Sequence, residues 1–187
     1  MKNNLQKIFL ITSLSIILTS CSSDDDIPML INEEEVITTV IATFTNVNQT
    51  ITLTSFDEDG DGPLQPEITV TGNFLAGETY TGNIRFLNQS LTPNEEITEE
   101  IQEEGEEHQI FYHQSGLGTF TYADQDGNGN PIGLNFSFTA NSTPISGNLT
   151  ISLIHEPDKT AEGVSDGNPQ NAGGSTDAEV VFPIIIE

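Results

Sequence analysis

Cysteine is almost missing from this chain: Cys21 is the only one in 187 residues. A lone thiol closes no internal disulfide, so a cystine-stapled fold is excluded. Positive charge is nearly as scarce, with four Lys and Arg side chains against 29 Asp and Glu. Lys2 and Lys7 stand at the very start, which leaves Arg85 and Lys159 against all 29 acids after position 20, a formal charge of −27. That balance excludes nucleic acid and anionic lipid head groups as partners and favours cations, either metal ions or a basic patch on another protein. It also makes self-repulsion a stability problem, which bound divalent cations would relieve. No G-x-S-x-G occurs, so Ser115 is not on a nucleophile elbow. Carboxylates are too abundant for a glycosidase pair to be singled out. The chain therefore reads as a binding or structural protein and not as an enzyme.

What is present first is a leader. Lys2 and Lys7 precede Ile8-Phe9-Leu10-Ile11 and the run Leu14 to Leu18, and Thr19-Ser20 lead into Cys21. This is the layout of a secretory signal, too short and too closely followed by charge to span a membrane. Leu18-Thr19-Ser20-Cys21 resembles a bacterial lipobox, whose cysteine is acylated once the leader is removed. Each buried CH2 of such acyl chains contributes roughly 0.8 kcal/mol, enough in total for stable anchoring. A lipidated Cys21 also accounts for the cysteine count in an oxidising compartment. Ser22-Ser23-Asp24-Asp25-Asp26 resembles the acidic export tag of Bacteroidetes surface lipoproteins, which favours the cell surface over the periplasmic face of the outer membrane. The expected division is a signal peptide over 1–20, an acidic tether over 21–34 and one domain over 35–187.

Apolar residues make up only 35% of the chain, but they come in β-branched, alternating runs. About 150 residues are enough to bury a core. Val36 to Phe44, Thr50 to Phe56, Glu67 to Phe74 and Glu78 to Leu87 read as strands. So do His108 to Gln114, Gly118 to Ala123, Ile132 to Ala140, Ile145 to His155 and Ala178 to Ile186. The one predicted helix has Thr92 as N-cap, Pro93 at its first position, Glu95 closing a capping box and Gly105 as its stop. Ile97 and Ile101 share a face. Glu103 and Glu104 oppose the macrodipole, so this helix needs either a sheet to dock on or a cation near its end. Nine short strands and one acidic helix predict an all-β fold, an antiparallel immunoglobulin-like β-sandwich. The polar loop from Glu156 to Thr176 is long for such a fold and is a candidate for function.

Two acidic loops have alternating oxygen donors. Asp57, Asp59 and Asp61 precede Gly62, and Asp124, Asp126 and Asn128 precede Gly129. This is the first half of an EF-hand-type calcium loop set between strands. The glutamate expected at position twelve is missing, since Ile68 and Asn135 stand there. Calcium at these loops is one expectation; a turn rich in Asp, Asn and Gly for conformational reasons is the other. A second group has softer ligands: Glu106, Glu107, His108, His113 and His155. His108 and His113 point to opposite faces of one strand, because five is odd. His108, Glu106 or Glu107, and His155 meet only if their strand ends are neighbours, in a nitrogen–oxygen site suited to zinc or another divalent transition metal.

Nearly the whole chain resembles a family of small acidic lipoproteins from flavobacteria and other Bacteroidetes, often labelled "type 1 periplasmic binding fold superfamily". The matching stretches are Asn32 to Val40, Asp57 to Gly62, Ile97 to Ile101 through Glu107-His108-Gln109, and His155 to Lys159 with Asn171 to Gly174. The label implies two α/β lobes, whereas the strand-rich chain here predicts one β domain. The resemblance implies an outer-membrane lipoprotein that accompanies a TonB-dependent receptor. A calcium-stiffened adhesion-type module is the alternative function.

Overall fold

A computed structural model describes residues 36–60 and 63–187. The leader, the tether with Cys21, and Asp61 lie outside the described residues. Ten strands and one short helix follow in order: β1 (Thr39–Thr45), β2 (Thr50–Phe56), β3 (Glu67–Val70), β4 (Thr79–Asn88), β5 (Glu95–Glu96), α1 (Ile97–Glu103), β6 (His108–Gln114), β7 (Gly118–Tyr122), β8 (Asn135–Ala140), β9 (Ile145–His155) and β10 (Ser175–Ile186). Every named strand pair is antiparallel, and the fold is the expected all-β sandwich.

The larger sheet runs β3-β2-β1-β4-β8-β7, with β5 paired to the end of β4. The smaller sheet runs β10-β9-β6. The chain stitches the two together at both edges. Phe74, just past β3, bridges Ile186 of β10, with Phe74 N–H donating to the Ile185 carbonyl at 2.9 Å. At the other edge the Ile110 N–H of β6 donates to Ile132, just before β8, at 2.7 Å. Edge strands tied in this way expose fewer unpaired backbone groups.

Alternation places Phe44, Ile51, Leu53, Ile84 and Phe136 on the inner face of the large sheet, opposite Ile110, Leu149, Ile151 and Leu153 of the small one. Aromatic rings dominate the interface. Phe44 meets Phe74 edge-to-face at 5.0 Å, and Tyr112 stacks on Phe120 at 4.7 Å. Each such pair contributes about 0.5–1.5 kcal/mol beyond its area. Gly82 of β4 lies between Phe44 of β1 and Phe136 of β8 in the ladder. The Phe136 ring fills the space a side chain would take there.

The helix differs from its predicted start. It begins at Ile97 and has no side-chain cap, and the Thr92-Pro93 box is unused. Glu95 and Glu96 pair instead with Asn88 and Leu87 of β4, and Arg85 holds the Glu96 carboxylate in an ion pair. Thr98 completes the junction, its hydroxyl accepting from Phe86 N–H at 2.8 Å. Strand pairing outcompetes a capping box here because it satisfies backbone groups on both sides. Ile97 and Ile101 dock in the core as their spacing predicts.

The 156–174 segment is folded tightly over the outer face of the small sheet. Val164 and Ala172 cover Phe111 and Ile154, and Gln109 donates to the Val164 carbonyl at 2.8 Å. A 3-10 turn, Pro169–Asn171, is capped by the Asn168 side chain. β6 is thereby buried on both faces.

Candidate metal centre

β6 and β9 pair in a register that sets His108 directly opposite His155. Both belong to the inward-facing sets of their strands, with Ile110 and Tyr112 on one and Ile151 and Leu153 on the other. Their rings lie 4.8 Å apart between centroids, tilted by 55°. The third member comes from β10. Thr176 pairs with Ile154 and Ala178 with Leu153, so Asp177 is the extra residue of a β-bulge. A bulge re-aims one side chain against the alternation of its strand. The Asp177 carboxylate reaches to 3.8 Å from His108 Nε2 and 3.9 Å from His155 Nδ1.

The three donors are almost fully shielded, with side chains exposed by 0% for His108, 1% for Asp177 and 10% for His155. The Nδ1 of His108 lies 3.2 Å from the Glu104 carbonyl. A carbonyl only accepts, so Nδ1 donates to it, and Nε2 is the ring nitrogen that faces Asp177. This is how metal-bound histidines are usually oriented from behind. Two nitrogens and one carboxylate oxygen, all within 4.8 Å of one another, form a zinc-type donor set. Around a tetrahedral ion with bonds of 2.0–2.1 Å such donors stand about 3.3 Å apart, so the two His–Asp distances of 3.8 and 3.9 Å need to contract by about half an ångström.

Of the residues expected at a soft site, His108 and His155 come together and His113 does not. It is exposed on β6 beyond the buried run. Glu107 lies beside the pair, its Oε2 3.9 Å from His155 Nε2. Glu106 is turned elsewhere, with Oε1 beside Gly127. Asp177 was not singled out from the sequence, because it falls between the predicted loop and the predicted last strand. The broken alternation at Thr176-Asp177-Ala178 is the only local trace of the bulge.

The second acidic loop serves the fold through protein donors. Asp124 accepts from the N–H groups of Gly133 and Asn135 at 2.8 and 2.7 Å. Asp126 Oδ1 accepts from those of Asn128 and Asn130, both at 2.9 Å. Asp126 Oδ2 receives the ammonium of Lys159 at 2.9 Å. Lys159 is buried, and it also donates to the carbonyls of Gly105 and Pro131. An internal ammonium thus engages one carboxylate of this loop, and it brings positive charge to the end of the acidic helix. Burial alone would push the Asp126 carboxyl up; Lys159 and the two backbone N–H groups outweigh it and hold the group below the usual carboxylate range. Asn128 contributes its backbone N–H, and its side chain is not needed for this arrangement. In the first loop, Asp57 and Asp59 make turn contacts, with Asp59 Oδ2 accepting from Leu64 N–H at 3.2 Å.

Between the helix end and the second loop lies a cleft of about 460 Å3. Glu103, Glu104, Glu106, Glu107 and Asp124 line it, above apolar Ile132 and Leu134. Comparison with family models, curated proteins and solved structures finds no match to the chain.

Proposed function

We propose that this chain is a non-enzymatic envelope lipoprotein, tethered through Cys21, whose β-sandwich binds one divalent transition-metal ion at His108, His155 and Asp177. The observation that carries the metal reading is the convergence of these three side chains from three different strands, one of them re-aimed by a bulge. A strongly acidic body supports it by concentrating cations around the molecule. The lipobox-like Leu18-Thr19-Ser20-Cys21 and the acidic run after it support anchoring in the outer membrane, facing the cell surface. In that position the protein would hold an ion for a TonB-dependent receptor.

Titrating the purified mature protein with zinc in a calorimeter tests the centre. The expected result is one ion per chain, with binding lost in His108→Ala and Asp177→Asn and retained in His113→Ala. Equal affinity in all four proteins would sink the proposal. Fractionating cells that express Cys21→Ala tests the anchor. Release of that variant from the membrane is expected, and membrane retention equal to wild type would remove the lipid from the account.

A further inference from the structure

Of the three inner side chains that of His155 is the most exposed, at 10%, and its two ring nitrogens look in different directions. Nδ1 faces Asp177 at 3.9 Å, and Nε2 faces Glu107 at 3.9 Å. Glu107 is itself 56% exposed. With Glu156 it completes a second group, Glu107, His155 and Glu156, whose ligand atoms lie within 4.8 Å of one another. We propose that this outer trio is a capture site, through which a divalent ion is passed by His155 to the buried centre. The inference rests on the metal-binding reading of His108, His155 and Asp177.

The backbone around the outer trio is built to hold it. Glu156 has φ of 51°, and it is the one non-glycine residue in the left-handed region among the described residues. A conformation of this kind is costly for an L side chain and persists only where its surroundings impose it. Two contacts do so. Glu156 N–H donates to the Glu107 carbonyl at 2.6 Å, which locks the two trio carboxylates to one another through the backbone. Gly174, at φ of 72°, lies so close to the His155 carbonyl that any side chain there would collide with it. Strain, a tight hydrogen bond and an obligatory glycine therefore converge on the two exposed acids that flank the doorway histidine.

The approach to the trio is also shaped for a cation. Glu107 belongs both to the trio and to the lining of the acidic cleft. A concave acidic surface with low-dielectric walls focuses the field and raises the local cation concentration. Two hard oxygen donors and one imidazole nitrogen, open to water, suit a partly hydrated incoming ion. The inner pair of histidines, shielded from water, suits the same ion after it loses that water. One ring nitrogen of His155 faces the outer Glu107 and the other faces the inner Asp177, so a single side chain borders both sites.

The test is stopped-flow zinc binding to full-length mature protein, wild type against Glu107→Gln/Glu156→Gln, at fixed ionic strength. Losing a doorway slows arrival and departure together. Association is expected to fall about tenfold or more, dissociation to fall with it, and the equilibrium affinity to stay close to wild type. Glu107→Gln alone, which leaves the strained Glu156 backbone untouched, is expected to show the same pattern more weakly, and its melting temperature reports that the fold is kept. Unchanged rates in both variants would overturn the relay while leaving the buried centre standing. So would a fall in affinity with unchanged dissociation, the behaviour of simple charge attraction. A wild-type protein that binds no zinc would overturn the relay and the metal centre together.

Discussion

The ammonium of Lys159 sits 2.9 Å from Asp126 Oδ2, with both side chains almost fully shielded from solvent. Its other two hydrogen bonds go to the Gly105 and Pro131 carbonyls, so one side chain fastens the end of α1, the 124–131 loop and the 156–174 strap. In a body with only two basic side chains, one of them has been spent on this internal junction.

Lys159→Met should therefore be among the most damaging single changes. It leaves the Asp126 charge buried without its ammonium partner, which costs about 3–5 kcal/mol. Urea unfolding reads the loss directly. Lys159→Met/Asp126→Asn should lose less than the sum of the two single variants, because the second change removes the charge the first one strands. Additive losses would mean that the two side chains act independently.

Acid should loosen the same junction. The Asp126 carboxyl is held below its ordinary value in the folded state. The unfolded chain, with an Asp value of about 3.9, takes up a proton first as pH falls, so unfolding gains. The contribution of Asp126 is complete above that unfolded value and is lost as pH drops through the lower folded one. Unfolding free energies measured stepwise from pH 6 to about pH 3 should fall less steeply for Asp126→Asn than for wild type. Parallel curves would contradict the depressed carboxyl.

Zinc should raise the melting temperature through the His108 centre. At free zinc about a hundredfold above the dissociation constant, the folded state gains about 2.7 kcal/mol. Asp177→Asn should abolish that gain, and His113→Ala should keep it. A shift that persists in Asp177→Asn would place the ion somewhere other than the bulge.

Gly82→Ala should be costly although it adds only one methyl group. Its Cβ would be driven into the Phe136 ring, whose neighbours Phe44 and Phe120 leave it little room to move. Overpacking of this kind costs about 1–3 kcal/mol. Gly72→Ala meets only an ordinary contact, 3.8 Å from Ile51, and should stay within about 0.5 kcal/mol of wild type. Thermal unfolding of the two variants side by side checks the contrast.

Much of the fold could be read from periodicity. The alternation in Thr50 to Phe56 and Thr79 to Phe86 has period two, and the burial of β2 and of β4 up to Phe86 follows it, while Leu87 and Asn88 are buried as well. Ile97 and Ile101, four apart, gave the docking face of α1. Its start was misplaced because the Thr92 capping box is a local signal, and pairing of Glu95 and Glu96 with β4 is not. The same limit applies to the candidate metal centre. Strand-end positions for His108 and His155 were legible; their direct pairing depends on which strands become neighbours.

Composition and local pattern determined the acidic, cation-attracting character of this chain, its strands, and the residue types available for binding. Those properties follow from side-chain chemistry and from the short-range geometry of the backbone. The tertiary structure decided which acids were paired internally and which were gathered beside histidines. Asp126 met Lys159 from 33 positions away and became a brace. Asp177 was turned inward by a bulge that exists only because β10 pairs with β9. Both outcomes depend on long-range pairing, which brings charges together at distances where burial makes each contact strong, and no run of neighbouring residues encodes it.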